Sequence, residues 1–352
     1  MLKHFLWSFI AVVIGLSCAF WRGQVVHDAG LSFLITAFCI SLLEVAISFD
    51  NAVVNAEKLE HMSHKWQERF LTWGILIAVF GMRFLFPILV VSIFAGLPFL
   101  KVIDVALAKP DEYVAYLHDA NAGIVSFGGM FLMMLFLKFF IDKKKEIDWL
   151  GFIERPLKFL AKIKFSHEII GLAALLILVV NLPQEEMKVC AISGISGILL
   201  FLVIDTVAHR LEKHHKASAS AVALTGKAGF MAFLYLELID ASFSLDGVLG
   251  AFAFTKDVVV IVVGLGIGAM FVRSITLALV EHKTLDKFRF LTNGAYWAIG
   301  ALSVIMLRSA IEEVPEAIAA SLSIVFIVLS IISSLLYNKK NATPAPSGPA
   351  SK

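Results

Sequence analysis

Runs of about 20 mainly apolar residues constrain this chain more than any other feature, because each run is long enough for one helix to cross a bilayer. Ten such runs occur: 2–20, 31–54, 70–95, 121–141, 168–182, 187–208, 228–253, 258–280, 290–307 and 315–337. Of the 352 residues, 59% are hydrophobic and only 16% charged, whereas a typical soluble domain has about 25% charged residues. This composition excludes a soluble enzyme, a disordered protein and a nucleic-acid-binding protein. It predicts an all-α, polytopic membrane protein of about 10 transmembrane helices in contact with the lipid bilayer.

The basic residues of the loops predict the orientation, since cytoplasmic loops carry an excess of Lys and Arg. If the runs alternate in direction, 21 of the 30 basic residues fall on the side of the N-terminus and six on the other side. We therefore predict a multi-pass protein of the cytoplasmic (inner) membrane with both termini in the cytoplasm. The first run resembles a signal peptide but lacks a small-x-small cleavage site, so we expect it to be retained. Runs 168–182 and 187–208 form either two spans or a re-entrant pair.

Two segments of the chain resemble each other, with the shared pattern acid-x-x-x-Ser-x-Asp-small. They cover residues 44–51 and 240–247, and each precedes an apolar run that contains one arginine, Arg83 or Arg273, nine residues after a glycine. Matched ionisable residues are rare inside membrane spans. The two copies lie five runs apart, which is an odd number, so they cross the membrane in opposite directions. This arrangement predicts an inverted repeat, as in many secondary transporters.

The domain organisation follows from this repeat. We predict a first membrane repeat over 1–182, a second and inverted repeat over 183–337, and a disordered cytoplasmic tail over 338–352. Within the first repeat, segment 142–167 alternates lysines with aromatic and aliphatic residues. That pattern favours either an amphipathic helix on an anionic lipid surface or a plain connecting loop.

Seven ionisable residues lie deep in the predicted spans, and each costs roughly 2.5–3.5 kcal/mol at a helix centre. They are Glu44, Asp50, Glu237, Asp240, Asp246, Arg83 and Arg273. Five negative charges against two positive charges leave an excess of three, which a bound cation or protons would neutralise. The predicted ligands are the five acids together with the neutral oxygens of Ser48, Ser244 and Asn51. The arginines Arg83 and Arg273 are expected to pair with the acids when the cation is absent.

The types of ligand narrow the choice of ion. Carboxylate, amide and hydroxyl oxygens suit Mn²⁺, Mg²⁺ or Ca²⁺, and no Cys or His lies among these charges. An Asp six residues after an acid points about 120° away from it on a regular helix. Either Asp50 and Asp246 therefore face different neighbours, or the helix unwinds near Asn51 and Gly247, which are poor helix formers.

Three alternatives remain at this point. In the first, the charges form a static network in which Glu44 or Asp50 holds Arg83, and Asp240 or Asp246 holds Arg273. In the second, the excess carboxylates relay protons. In the third, the protein is a membrane scaffold for metal delivery to exported proteins or for secretion, with structural buried charges. An enzyme is not expected, because no His-Glu-x-x-His or Gly-x-Ser-x-Gly motif occurs.

At these motifs the sequence resembles the TerC family of integral membrane proteins. The resemblance is carried by Ser48-Phe-Asp50-Asn51-Ala-Val-Val in the first half, and by residues 243–255 with the run containing Arg273 in the second. It implies an exporter of Mn²⁺, with Asp50 and Asp246 as the first ligands and the ion as cargo, not as a resident cofactor. Apart from the resemblance, a homo-oligomer and a partner in the secretion machinery are the protein partners left open. The chain departs from the family in having Gly247 where many members have Ser, and in having more spans than the basic seven.

Overall fold

The computed structural model describes residues 2–94, 96–142, 145–218, 225–252, 254–255, 257–312, 314 and 316–341. Within these ranges the chain forms fifteen α-helices and one π-helical segment and no β-strand. The α-helices are α1 (Leu2–His27), α2 (Gly30–Ile47), α3 (Phe49–Leu59), α4 (His64–Leu76), α5 (Phe86–Phe94), α6 (Phe99–Ala108), α7 (Pro110–Phe140), α8 (Gly151–Leu160), α9 (Ser166–Val180), α10 (Gln184–Ser218), α11 (Gly226–Phe252), α12 (Val258–Glu281), α13 (Thr284–Lys287), α14 (Leu291–Ser309) and α15 (Glu316–Asn341). The π-helical segment, Ile77–Leu85, joins α4 to α5. The all-α prediction is therefore confirmed.

Each of the ten predicted runs overlaps one helix or a consecutive group of helices. In the described part of the chain, six helical stretches are long and apolar enough to cross a membrane: Phe5–Val26, Gly30–Ile47, Asp111–Phe140, Gln184–Val207, Val258–Glu281 and Ser321–Lys340. The run at 168–182 contains only the 15-residue α9, and the run at 70–95 is divided among α4, the π-helical segment and α5. Several membrane-spanning helices are thus confirmed, whereas the count of ten and the inverted repeat stay predictions.

Two predicted runs depart from a regular α-helix beside candidate site residues. α2 ends at Ile47 and α3 begins at Phe49, with Ser48 between them at φ −94° and ψ 13°. The π-helical segment contains Arg83 and ends just before Pro87. Proline has no backbone N–H, and its ring clashes with the carbonyl group four residues earlier. Pro87 therefore prevents an α-helical hydrogen bond to Arg83 and favours the wider helical turn.

Segment 142–167 contains a helix, and the prediction for the tail needs correction. The helix in this segment, α8, is short, and the end of the segment overlaps the first residues of α9. Phe152 and Phe159 of α8 are 79% and 62% exposed, while Glu154 on the same helix is buried, so α8 is amphipathic. The tail predicted to be disordered is helical as far as residue 341. Asn338 supports this extension, because its Nδ2 donates a 2.9 Å hydrogen bond to the carbonyl group of Lys287. Residues 342–352 lie outside the described residues.

The candidate site residues lie where α2, α3, α11, α12 and the π-helical segment pack together. α1 packs against α2 and α12, while α14 packs against α3, α7 and α15. Gly268 permits the close approach of α12 to α2, because a Cβ atom there would lie 2.5 Å from Cβ of Glu44. The Glu44 side chain is thus held beside the helices that carry the other buried acids.

Candidate functional site

Glu44 and Asp240 both contact Arg83, and all three side chains are buried. Arg83 donates a hydrogen bond from Nη2 to Oε1 of Glu44, and its Nη1 lies 3.7 Å from Oδ2 of Asp240. Arg83 Nη1 also donates to the carbonyl oxygen of Ala78 at 2.8 Å. The hydroxyl of Ser48 donates to Oε1 of Glu44 at 2.9 Å. One arginine therefore joins the leading acids of the two sequence motifs.

Arg273 of α12 joins the same network from another helix. Its Nη2 lies 3.0 and 3.1 Å from the two carboxylate oxygens of Glu237, and 3.5 Å from Oδ2 of Asp240. Its Nη1 donates to the carbonyl oxygen of Phe70 at 2.9 Å, and its Cζ lies 4.2 Å from the centroid of the Phe70 ring. Arg83 and Arg273 therefore share Asp240, and three carboxylates surround two guanidinium groups. We call these five side chains the arginine–carboxylate network.

Two further contacts connect the motifs. Nδ2 of Asn51 donates a 2.7 Å hydrogen bond to Oδ1 of Asp240. Gly247 lies against Glu44, since a Cβ atom on Gly247 would be 2.6 Å from Oε2 of Glu44. Asn51 and Gly247 are the matched last positions of the two motifs, so each lies beside the leading acid of the other motif. Unwinding at these two residues is not observed, because they lie within α3 and α11.

Asp50 has a different environment from the other acids. Its side chain is buried, Oδ1 accepts a 2.9 Å hydrogen bond from the backbone N–H of Asn51, and Oδ2 accepts none. The hydroxyl of Ser323 on α15 lies beside this carboxyl group. Among the described contacts Asp50 forms no ion pair with Arg83, which pairs instead with Glu44 and Asp240. Asp50 therefore faces a different neighbour, which was one of the two predicted arrangements.

Asp246 and Ser244 are the predicted ligands whose side chains lie outside the described residues. Their backbones belong to α11, directly before Gly247. Their roles as ligands stay predictions.

The charges of the site are unbalanced. The four described acids Glu44, Asp50, Glu237 and Asp240 carry four negative formal charges, and the two arginines carry two positive charges. Buried charges are costly unless they are paired. Asp246, whose side chain lies outside the described residues, raises the formal excess from two to three. No three His, Cys, Asp or Glu side chains in the described ranges are grouped as a ready metal site. The guanidinium groups lie between the carboxylates, so these acids could hold a cation together only after the ion pairs rearrange.

A further buried carboxylate, Glu154 of α8, lies outside these motifs and was missed by the sequence analysis. It accepts hydrogen bonds from Nε1 of Trp297 at 2.9 Å and from Nδ2 of Asn293 at 3.0 Å, and Lys145 pairs with it at 2.5 Å. Burial acts to raise the pKa of Glu154, but the hydrogen bonds from Lys145 and Trp297 and the charge of Lys145 hold it below its usual value. Trp297 and Asn293 are 143 and 139 positions away, so no local pattern could reveal this site. It anchors α8 to α14.

An acidic cavity of about 450 Å³ lies at the N-terminal end of α10 and the C-terminal end of α14. Its lining includes His118, Asp119, Glu185, Glu186 and Glu312. None of these residues belongs to the arginine–carboxylate network. The predicted charge bias of the loops puts this end of the molecule on the side opposite the cytoplasm.

The fold and its apolar helices define a multi-pass integral membrane protein. It belongs to the family described as "Protein of unknown function (DUF475)", whose model matches residues 49–341. The chain is also similar to the uncharacterized membrane protein YceF of Bacillus subtilis (strain 168), with 31% identity over 106 residues. That alignment covers 30% of this chain and 40% of the relative. No solved structure matches the chain. The family match includes Asp50, Arg83 and Arg273 but begins after Glu44 and Ser48.

Proposed function

We propose that this protein is a secondary transporter that exports a divalent metal cation, with Mn²⁺ as the preferred ion, across the cytoplasmic membrane by alternating access. The observation that carries the proposal is the excess of two negative formal charges among the buried side chains of Glu44, Asp50, Glu237, Asp240, Arg83 and Arg273. One divalent cation would balance that excess, and with the charge of Asp246 an excess of one would remain. A purely structural network would be expected to balance its own charges, because an unpaired buried carboxylate destabilises the fold.

In the proposed cycle, the arginines act as counter-ions of the empty site. Arg83 holds Glu44 and Asp240, while Arg273 holds Glu237 and Asp240. An arriving cation competes for these carboxylates, and displacement of the guanidinium groups changes the contacts among α2, α11 and α12. A bound cation thus biases the packing of these helices, which is the requirement for a ligand-driven conformational change.

The contacts between the motifs support the proposed inverted repeat. Asn51 bonds to Asp240, and Gly247 lies against Glu44, so the same pair of motif positions meets twice. A twofold relation between the halves would produce such reciprocal contacts, and it would place the site at the interface of the repeats. Access would then alternate between the cytoplasmic end of α3 and the acidic cavity beside His118.

The ligand chemistry and the resemblance to the TerC family support Mn²⁺. Carboxylate, amide and hydroxyl oxygens from Asp50, Asn51 and Ser323 are hard ligands that suit Mn²⁺, Mg²⁺ or Ca²⁺. TerC family members are linked to manganese efflux, and Asp50 and Asp246 occupy their motif positions. We assign these two residues as primary ligands of the transported ion.

The proposal is tested by elemental analysis of Mn-loaded cells that express the wild type, the double variant Asp50→Asn/Asp246→Asn, or the empty vector. Asp104→Asn is a matched control, because it makes the same chemical change at an exposed carboxylate of α6. Total Mn, Mg, Ca, Fe and Zn are measured at matched amounts of membrane-inserted protein. We expect cellular Mn alone to fall with the wild type and with Asp104→Asn, but not with the double variant.

Unchanged metal contents in every strain would contradict the transporter proposal. If the double variant were also unstable in the membrane, the result would favour the scaffold alternative, in which the buried acids hold the helices together. A fall in another divalent ion in place of Mn would retain the transport mechanism and correct the substrate.

A further inference from the structure

The four polar side chains of α3 closest to the site fall on two faces of the helix. Residues seven positions apart differ by about 20° around an α-helix, so Asp50 and Glu57 share one face. Asn51 and Asn55 are four positions apart and share another. The two faces therefore meet different neighbours, and the buried acids of α3 do not all point into the arginine–carboxylate network.

The observed contacts follow this division. Asn51 bonds to Asp240 of α11. On the other face, Asp50 lies beside the Ser323 hydroxyl of α15, and Glu57 lies beside the Tyr296 hydroxyl of α14. Asp50 and Glu57 thus line the contact of α3 with α14 and α15, together with two hydroxyl groups.

In the described part of the chain, Oδ2 of Asp50 and Oε2 of Glu57 are buried and accept no hydrogen bond. The other oxygen of Glu57 accepts a 3.3 Å contact from its chain neighbour Lys58, and the Tyr296 hydroxyl lies near the same carboxyl group. A buried acceptor without a partner costs about 1–3 kcal/mol, and such groups are rare in folded proteins. Two such carboxylate oxygens on one helix face indicate a ligand that supplies positive charge.

The exposure of the two acids gives this face a direction. Side-chain exposure is 25% for Glu57, whereas Asp50 is fully buried. Seven residues of α-helix span about 10 Å, so the face leads from the surface at the end of α3 to the buried site. The loop that follows α3, residues 60–63, lies between Lys58 and Lys65 on the predicted cytoplasmic side.

We propose that Glu57 is a capture site for the divalent cation on the cytoplasmic side, from which the ion passes along α3 to Asp50. This inference rests on the proposed transport function. Tyr296 and Ser323 supply neutral oxygens on the way, and the charge of Glu57 attracts the ion to the mouth of the path. Loss of that charge slows capture at low ion concentration but leaves the later steps intact.

The first test measures exchange of ⁵⁴Mn²⁺ into inside-out membrane vesicles preloaded with unlabelled Mn²⁺, so that no external driving force is needed. We expect Glu57→Gln to raise the Mn²⁺ concentration for half-maximal exchange at least fivefold, with the maximal rate within twofold of the wild type. Glu57→Asp, which keeps the charge, should stay within twofold of the wild type. Glu68→Gln is the matched control, because Glu68 is a cytoplasmic-side acid with 65% side-chain exposure.

The second test uses only the wild-type protein, so its result does not depend on the folding of a variant. A water-soluble carbodiimide is applied to the vesicles, and modification of Glu57 and Glu68 is quantified by mass spectrometry of their peptides. Mn²⁺ should protect Glu57 and leave Glu68 reactive.

Three results would overturn the inference. The first is a Glu57→Gln variant whose Mn²⁺ concentration for half-maximal exchange is unchanged. The second is a fall in the maximal exchange rate alone, which would indicate a structural role. The third is an absence of Mn²⁺ protection of Glu57 against the carbodiimide. If the wild type exchanges Mn²⁺ normally, any of these removes only the capture role. A wild type that exchanges no Mn²⁺ removes the proposed function and the capture role together.

Discussion

Nδ2 of Asn51 donates a 2.7 Å hydrogen bond to Oδ1 of Asp240, a residue 189 positions later in the chain. This bond ties the second helix of the N-terminal motif, α3, to the helix that carries the C-terminal motif, α11. It also gives the Asp240 carboxylate a third side-chain contact, in addition to those with the two arginines. Asp240 is therefore the residue on which the charges of both motifs converge.

The first prediction concerns this bond. Asn51→Leu removes the donor and leaves Oδ1 of Asp240 buried without it, which should lower the free energy of unfolding by about 1–3 kcal/mol. Asn55→Leu makes the same change one turn later, where Oδ1 of Asn55, like that of Asn51, accepts no hydrogen bond in the described part of the chain, and it should cost less than Asn51→Leu. Thermal unfolding in detergent, followed by size-exclusion chromatography, compares the two. Equal losses in both variants would contradict the prediction.

Much of the arginine–carboxylate network could be predicted from sequence. Ionisable residues are costly in a membrane span. Pairing with one another or with a ligand was therefore expected for Glu44, Asp240, Arg83 and Arg273. What the sequence could not provide is the choice among partners. Arg83 pairs with the leading acid of each motif, Glu44 and Asp240. Arg273 pairs with Glu237, which precedes the second motif, as well as with Asp240. That choice depends on helix rotation and on the π-helical turn before Pro87, neither of which has a periodic signal.

The second prediction concerns Gly247. Gly247→Ala places a Cβ atom 2.6 Å from Oε2 of Glu44, and that carboxylate is held in place by Arg83 and Ser48. Overpacking of this kind costs about 1–3 kcal/mol, and the displaced Glu44 should also reduce cation transport. Gly81→Ala is the control, because a Cβ atom there meets its nearest neighbour at an ordinary 3.5 Å. A Gly247→Ala protein with wild-type stability and transport would show that the carboxylate moves freely.

The third prediction concerns the ion pairs. Arg83→Gln leaves Glu44 and Asp240 without their shared cation, and breaking a buried pair in this way costs about 3–5 kcal/mol. The double variant Arg83→Gln/Glu44→Gln restores the wild-type net charge of the site and should recover much of the stability but no transport. Arg308→Gln breaks an exposed pair, 3.0 Å from Glu312, and should cost at most about 1 kcal/mol.

A double-mutant cycle on unfolding temperature and membrane yield checks the third prediction. Additive losses in the double variant would mean that Glu44 and Arg83 do not stabilise each other. Full transport by the double variant would mean that Glu44 is not part of the cation path.

Other features lie beyond any local sequence signal. Glu154 is one of several acids in a lysine-rich segment, and only the packing of α8 on α14 brings it to Trp297 and Asn293. The break at Ser48 lies three residues before Asn51, near which the sequence allowed unwinding, but no local pattern places it at Ser48 itself. Both features result from tertiary contacts that override local preference.

The final prediction concerns Glu154 and pH. Its pKa lies below the usual value because hydrogen bonds and the charge of Lys145 outweigh the effect of burial. A lowered pKa means that the ionised form stabilises the fold at pH values above the unfolded-state pKa of about 4.3, and that this contribution is lost as the pH falls through the lower folded-state value. Glu154→Gln should therefore lower the free energy of unfolding by about 3 kcal/mol at pH 7. The difference from the wild type should shrink below about pH 4.

Unfolding temperatures of the wild type and Glu154→Gln, measured from pH 7 down to pH 3.5, test this dependence. Glu146→Gln is the control, because Glu146 is an exposed acid of the same segment. It should match the wild type at every pH. If the gap between Glu154→Gln and the wild type were the same at pH 3.5 as at pH 7, the charge of Glu154 would not be what stabilises the contact between α8 and α14. The hydrogen bonds from Trp297 and Asn293 would then be sufficient without it.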